Sequence, residues 1–466
     1  MYFFQFGLSR LKDSGRMGYI SSGLFSKLGY GAPLRQFLTS RSTVLEIVEF
    51  GEEQVFEGAV TYPIILSLKN ELPKKTATLG LRSITDLTND TLPEPNPIPE
   101  ADDIWAFTTK SLQHILRGWK KSRPVGEVLG NSIRSGIKTG LNDAFILDRA
   151  TRNELIEEDP TSAEIIKPCE RGEDLRPWHQ EDNGLYLIFS RKGIDIEAYP
   201  AIKRYLEHFR EKLEPKPKGW TGRDWPGRKA GAYKWHEMQD PIDYYAVFEQ
   251  PRIHSTKVSL YPTFSFSEEV SYALNTSYVL PVEDTIMGNY LLGVLNSRVC
   301  EFYCRKVFAP KANGYFEIQP RELSRLPIPD ASAEERGKVG KLAEEITAEA
   351  RTRYTLHDRT QRRILSDLCP NESGKKLSQK LLAWWNLDFP AFRAEIKKVF
   401  KKDIPLAERD EWEDWLMGRR AEHQRITAEI VRLETELNTR VYALFDLTPE
   451  EIQTIEESTK YSYGEV

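Results

Sequence analysis

Met17-Gly18-Tyr19-Ile20, a short apolar run between two stretches of helical spacing, decides the fold class of the first part of this chain. Phe4 to Leu11 carries apolar side chains at helical intervals, and Gly15 stands where a helix C-cap glycine is expected, so a helix should lead into a buried strand over 17–20. Leu34, Phe37 and Leu38 mark a second helix and Val44 to Phe50 a second strand. Ala59 to Leu68, with Ile64 and Ile65, is a further buried, β-branched stretch. Helix and strand alternate, which is the order of a layered α/β sheet. The sequence holds no Gly-x-Gly-x-x-Gly and no Gly-Lys-Ser/Thr, so no phosphate or dinucleotide cradle is encoded.

The same residues carry a family resemblance. Gly15-Arg16-Met17-Gly18-Tyr19-Ile20, then Leu28-Gly29-Tyr30-Gly31 with Leu34-Arg35-Gln36-Phe37-Leu38, then Glu49-Phe50-Gly51 through Val55-Phe56, resemble the late motifs of adenine-N6 DNA methyltransferases of the Taq-like and type IIG restriction-modification branch. The resemblance implies that residues 1–70 are the second half of a Rossmann-type catalytic domain. It also implies that the early half of such an enzyme carries a Phe-x-Gly-x-Gly-type loop for S-adenosylmethionine and an Asn-Pro-Pro-Tyr/Phe loop for the target amine. Neither string occurs here; Asn96-Pro97-Ile98-Pro99 has the wrong residue between its prolines. The expectation is that this chain alone binds no cofactor and has no catalytic residue. Phe56 occupies the family's position for an aromatic that stacks on a flipped adenine, and a π-face suits an extruded base. Open apolar edges of a half sheet invite aggregation, so a partner or a longer parent chain is expected to complete residues 1–70.

Composition bounds the rest. A chain of 466 residues suits two or three domains. With 40% hydrophobic residues and no apolar run near 18, no membrane span is expected, and no signal peptide precedes the first helix, so the protein should be cytoplasmic. Cys169, Cys300, Cys304 and Cys369 form neither a disulfide framework nor a Cys-x-x-Cys motif, and no histidine pair joins Cys300 and Cys304, so no metal is expected. No Gly-x-Ser-x-Gly or His-Glu-x-x-His occurs, which argues against hydrolytic chemistry. Asp240 and Asp243 read as turn residues. A net charge of −5 confines any nucleic-acid face to a local stripe.

Prolines at 93, 95, 97 and 99 predict an extended, strand-poor linker, within 71–129, followed by a connecting helix from Trp105 to Trp119. Beyond it, residues 130–330 mix short aromatic strands with turns. Gly136-Ile137-Lys138-Thr139-Gly140-Leu141-Asn142 sets two glycines around Lys138, Thr139 and Asn142, residue types suited to phosphate and base-edge contacts, although an ordinary loop would read the same. This loop, then Ile165 to Pro168, Arg171 to Asp174, Tyr290 to Ser297, Asn313 to Ile318 and Leu326 to Pro329 stand in the order of the target-recognition domain of the same methyltransferases. From Arg191 to Leu260 fourteen Lys or Arg stand against ten Asp or Glu, with Trp220, Trp225, Tyr233 and Trp235 interleaved. That excess makes Lys216, Lys218, Arg223, Arg228 and Lys229 candidate DNA contacts together with Arg171, and Arg305, Lys306, Lys311, Asn313 and Tyr315 form a second patch.

Residues 331–466 should form a helical module. Val339, Leu342, Ile346 and Ile364 line one helix; Ile426, Ile430, Leu433, Leu437, Val441 and Leu444 line another; Thr448-Pro449-Glu450-Glu451 opens a last one. The expected fold is α/β (a partial Rossmann-type methyltransferase half), then a mixed α+β recognition domain, then α-helices. The expected partner is double-stranded DNA, together with a separate or upstream methyltransferase half. Two functions stay open: the recognising portion of a site-specific adenine-N6 DNA methyltransferase, or a stand-alone specificity subunit or inactive remnant.

Overall fold

The computed structural model describes residues 2–50, 56, 62–74, 78–89, 91–97, 105, 119, 122–369 and 376–465. The fold is mixed α/β, with several small open sheets among the described residues.

The N-terminal unit is a five-stranded sheet in the order β1-β3-β2-β4-β5, with β1 Arg16–Ser22, β2 Thr43–Glu49, β3 Pro63–Lys69, β4 Thr78–Ser83 and β5 Glu94–Pro97. β3 runs antiparallel to both β1 and β2, so those two strands point the same way, and helix α2 (Ala32–Arg41) crosses over between them. Helix α1 (Tyr2–Ser9) packs Phe4 and Leu8 onto this sheet. Three expectations change. The first helix ends at Ser9, and it is Ser14, not Gly15, that takes a positive φ in the turn before β1. β1 is an edge strand whose residues are alternately exposed and half-buried, not a buried one. The proline run is not strand-poor: Glu94–Pro97 pairs antiparallel with β4, at a sheet edge where missing N–H groups cost least. The expected helix over 105–119 lies outside the described residues apart from its two tryptophans. Trp105 is buried against Phe25 in the N-terminal core, whereas Trp119 sits among Phe302, Tyr303 and Phe445 in the next.

Two further cores follow. One gathers Phe145, Leu187, Ile202, Phe248 and Tyr272 from the middle region. The other joins Trp178, Ile253 and Phe264 to helices α3 (Thr285–Leu295), α4 (Arg298–Val307), α5 (Ala333–Leu368), α6 (Arg409–Leu444) and α7 (Pro449–Ser458). The apolar stripes read along 339–364 and 426–444 face into it, and Thr448 caps α7 with Glu451 reciprocating. The helical module therefore shares one core with the middle region. A buried carboxylate stitches them: Glu434 accepts from Trp178 Nε1 at 2.8 Å, the Tyr461 hydroxyl at 2.6 Å and the Gly464 amide at 2.6 Å. Trp178 is held there at φ 76°, a backbone conformation that costs a bulky residue about 1–3 kcal/mol and persists only where its surroundings dictate it.

Between α5 and α6, His357 and His423 stack on Trp385 at 4.1 and 4.8 Å, with His357 Nε2 2.9 Å from His423 Nδ1. Burial, reinforced by His423, holds His357 down to about 3, and burial with the nearby Arg353 charge holds His423 down to about 4, against an ordinary 6.5. Folded-state pKa values below the unfolded one mean that this stability is present above pH 6.5 and is lost as the pH falls towards 4. Urea unfolding followed from pH 7 to pH 4 should lose several kcal/mol, with a shallower decline in His423→Gln. A wild-type stability that stays flat over that range contradicts the assignment.

Candidate nucleic-acid interface

The structure brings two of the sequence-predicted segments together through one buried side chain. Arg228 is 5% exposed, and all five of its N–H donors meet backbone carbonyls. Nε donates to Leu213 at 2.7 Å, Nη1 to Glu237 at 2.7 Å and Thr139 at 3.3 Å, and Nη2 to Lys234 at 3.1 Å and Trp235 at 2.9 Å. Arg228 thus fastens the loop of Lys138 and Asn142 to the base of the loop 216–227, which is closed by paired backbone bonds between Lys216 and Arg228 and between Arg228 and Glu214. Gly140 is required at this crossing. Its φ is 88°, and a Cβ would stand 2.8 Å from Arg228 Cδ.

Arg228 is therefore a clamp and not a DNA contact, because no donor is left for a phosphate. Thr139 is corrected for the same reason: it is 1% exposed and its hydroxyl donates to Asn142 Oδ1 at 2.7 Å. Arg171 is engaged by Asp174 and Glu173. What faces solvent is Lys138, Asn142, Lys218, Arg223 and Lys229, with Lys216 half-buried. At the loop tip Trp220, 43% exposed, meets Trp225 edge-on at 5.0 Å, and Trp225 Nε1 donates to the Glu214 carbonyl at 3.1 Å. A flat aromatic beside exposed cations, on a loop whose base is held by backbone and Arg228 hydrogen bonds, can track a phosphate backbone and stack on a base.

Sequence reading missed Lys257, which packs over the Tyr278 ring, donates to Ser135 Oγ at 3.0 Å and shares Asp240 with Lys138. Burial raises the Asp240 carboxyl, opposed by Lys138. A lone lysine at the bend between the strands Arg252–Thr256 and Val258–Ser259 gives no signal by itself.

The second patch divides. Lys311, Asn313 and Tyr315 form an exposed hairpin tip between Ala309–Pro310 and Phe316–Glu317, closed by Lys311 N to Tyr315 O at 2.7 Å, with Asn313 at φ 60° and Gly314 at φ 76°. Lys311 pairs with Glu317 at 2.5 Å. Arg305 is drawn inward, onto Glu301 at 2.8 Å and the Leu260 carbonyl at 2.6 Å. Lys306 lines a cavity against the N-terminal sheet. Phe56 is 44% exposed, and its neighbours 51–55 and 57–61 lie outside the described residues.

Comparison with known proteins places these loops in a family context. The TaqI-like C-terminal specificity domain matches residues 167–328, the Eco57I restriction-modification methylase matches residues 1–56, and a domain of unknown function, DUF8810, matches residues 332–441. The chain is 23% identical over 357 residues to the Type II methyltransferase M.BstVI of Geobacillus stearothermophilus, covering 70% of this chain and 60% of that protein. It is 21% identical over 353 residues to the Type II methyltransferase M.XhoI of Xanthomonas vasicola, covering 70% and 61%. The chain thus spans about 60% of the length of the curated relatives it matches. Among solved structures, the Type IIL restriction-modification enzyme MmeI in complex with DNA aligns at a TM-score of 0.45 and 13% identity over 91% of this chain and 51% of that one, a likeness too loose to build on. No described helix is long and apolar enough to cross a membrane. The chain is related to restriction-modification methyltransferases, with a TaqI-like C-terminal specificity domain following an Eco57I-type methylase segment.

Proposed function

We propose that this chain is the DNA-recognition part of a site-specific adenine-N6 DNA methyltransferase of the restriction-modification type, acting in the cytoplasm, with S-adenosylmethionine as methyl donor to the complete enzyme. The observation that carries this reading is the specificity-domain match over 167–328 containing the exposed basic and tryptophan-bearing loop 216–229. In it, residues 1–70 are the later half of a Rossmann-type domain, a reading supported by the parallel β1-α2-β2 crossover, and Phe56 stacks on the flipped adenine. Of residues 71–129, taken from the sequence as a linker, β4, β5 and Trp105 complete the N-terminal sheet and its core and the remainder connects, while 130–330 recognise the site and 331–466 brace the recognising part. The cofactor loop and the Asn-Pro-Pro-Tyr loop, whose strings this sequence lacks, belong to a methyltransferase half supplied upstream or by a separate subunit. Orienting the adenine amine is where most of the rate comes from, and that falls to the supplied half.

The test is a purified chain offered labelled S-adenosylmethionine and duplex DNA. It should bind duplex with an affinity that falls steeply with salt and transfer no methyl group, until a half carrying the Asn-Pro-Pro-Tyr loop is added. Methyl transfer by the chain unaided rules out the missing-half reading. Failure to bind duplex at modest salt removes the function altogether. Binding that no added half converts to methylation favours a stand-alone specificity subunit.

A further inference from the structure

A cleft of about 320 Å³ opens beside the strand Ile166–Glu170, over the core that gathers Leu187, Ile202 and Phe248. Its floor is aromatic. Phe189, 7% exposed, follows the strand Tyr186–Ile188 and meets the buried Tyr272 ring at 4.8 Å and the half-buried Tyr245 ring at 5.7 Å. Its rim is cationic: Arg191 and Lys192 are exposed on the turn after Phe189, and Lys167 is half-buried on the neighbouring strand. The Arg191 guanidinium lies 4.7 Å from the Tyr245 ring centroid. The side chains of Lys167, Arg191 and Lys192 make no hydrogen bond or ion pair among the described residues. Two carboxylates reach the same cleft, and each is held by a tyrosine hydroxyl, Glu164 Oε2 by Tyr199 at 3.1 Å and Glu249 Oε1 by Tyr272 at 2.7 Å. Cationic donors are thus left above an aromatic floor.

The cleft is also tied to the basic loop. Ser190 Oγ donates to the His236 carbonyl at 2.6 Å, the Met238 amide to the Ser190 carbonyl at 2.7 Å and the Gly193 amide to Glu237 Oε1 at 2.8 Å. The Glu237 carbonyl in turn receives Arg228, so residues 236–238 anchor both the rim of the cleft and the clamp beneath loop 216–227. An aromatic floor receives a flat ring and a cationic rim receives the charge attached to it; an unstacked base with its phosphate has both. A guanidinium laid against a ring keeps its edge N–H groups for phosphate oxygens and its outer face for a base.

We infer that this cleft binds a single unstacked nucleotide, its base against Phe189 and the Tyr245–Arg191 pair and its phosphate on Lys167, Arg191 and Lys192. The nucleotide comes from bound DNA, as an unpaired or extruded residue, or from free solution. The DNA source rests on the DNA-binding reading above; the free source does not.

The experiment uses the full chain and its Arg191→Gln, Lys192→Gln and Tyr245→Leu variants. Melting temperature is followed with millimolar dAMP, deoxyadenosine or inorganic phosphate, and each protein is titrated with a perfect duplex and with the same duplex carrying one bulged 2-aminopurine nucleotide. The wild type should melt higher with dAMP than with deoxyadenosine or phosphate. Both rim variants should melt like the wild type when unliganded and lose the dAMP shift. With DNA as the source, the bulged duplex should bind roughly tenfold tighter than the perfect one and its fluorescence should be quenched, a preference the variants lose while keeping perfect-duplex affinity. A dAMP shift without a bulge preference assigns the cleft to free nucleotide. If the wild type prefers neither dAMP nor the bulge, or the rim variants respond as the wild type does, the inference is overturned. Inorganic phosphate matching dAMP also overturns it, because the aromatic floor then contributes nothing. A response lost only in Tyr245→Leu shows structural damage and overturns it too. If the wild type binds neither duplex, the DNA-binding reading fails and the dAMP arm alone decides the cleft.

Discussion

Replacing Arg228 by methionine should destabilise the protein by about 3–5 kcal/mol, among the largest effects available to a single surface-loop position. Methionine fills much of the same volume but donates nothing, so the carbonyls of Thr139, Leu213, Lys234, Trp235 and Glu237 lose their shared partner. Each buried carbonyl left without a donor costs roughly 1–3 kcal/mol, tempered where water can enter. Lysine is not a remedy: three donors on a flexible stem cannot reproduce a planar five-donor fork, so Arg228→Lys should lose most of the same stability. In the proposed function, the loop of Lys138 and the loop of Lys218 also lose their fixed spacing, so duplex affinity should fall more than tenfold although neither phosphate-facing lysine is touched. Urea unfolding together with duplex titration reads both effects. A change in stability below about 0.5 kcal/mol would refute the clamp.

Glu434→Leu should cost a comparable amount, about 3–5 kcal/mol, for the opposite electrostatic reason. There an acceptor disappears, and the Trp178 indole N–H, the Tyr461 hydroxyl and the Gly464 amide lose their bonds in a dry core. Arg353, 3% exposed and bonded to the Gly464 carbonyl at 2.7 Å and Thr427 at 3.0 Å, loses the favourable charge of Glu434. Glu434→Gln should fall between the two: its amide oxygen can still receive Trp178 and Tyr461, but its NH2 opposes the Gly464 amide. Because the network ties residues near 178, 434 and 461, the leucine variant should also expose the C-terminal tail. Limited proteolysis should clip it faster than in the wild type, and equal rates would argue that the tail is held by packing alone.

How far the sequence could be read depended on whether a signal is local. The helical stripes over 339–364 and 426–444, the Thr448 cap and the strands over 44–50 and 59–68 are properties of near neighbours along the chain, and these elements formed where the spacing put them, to within a few residues. The proline run misled because a strand at a sheet edge needs few N–H donors, and only the presence of β4 beside it made pairing possible. Gly140 was noticed as permitting a close approach, but what approaches is Arg228, 88 residues on, and not a polyanion.

The sequence alone carried the resemblance to restriction-modification methyltransferases, through an order of motifs no single one of which is specific, and it marked which stretches are basic and aromatic. It could not determine which basic side chains reach solvent. A guanidinium is equally able to bind a phosphate or five carbonyls, and composition is blind to the difference. Only the tertiary structure, by closing the loop 216–227 on one side and burying Arg305 on the other, decided that Arg228 and Arg305 hold the scaffold while Lys138, Lys218, Arg223 and Lys229 face outward. Likewise only the fold sets Lys167, Arg191, Lys192, Tyr245 and Tyr272 around one cleft. The physical reason is common to both: the charge of a side chain is written in the sequence, but its partners are set by segments tens to hundreds of residues apart.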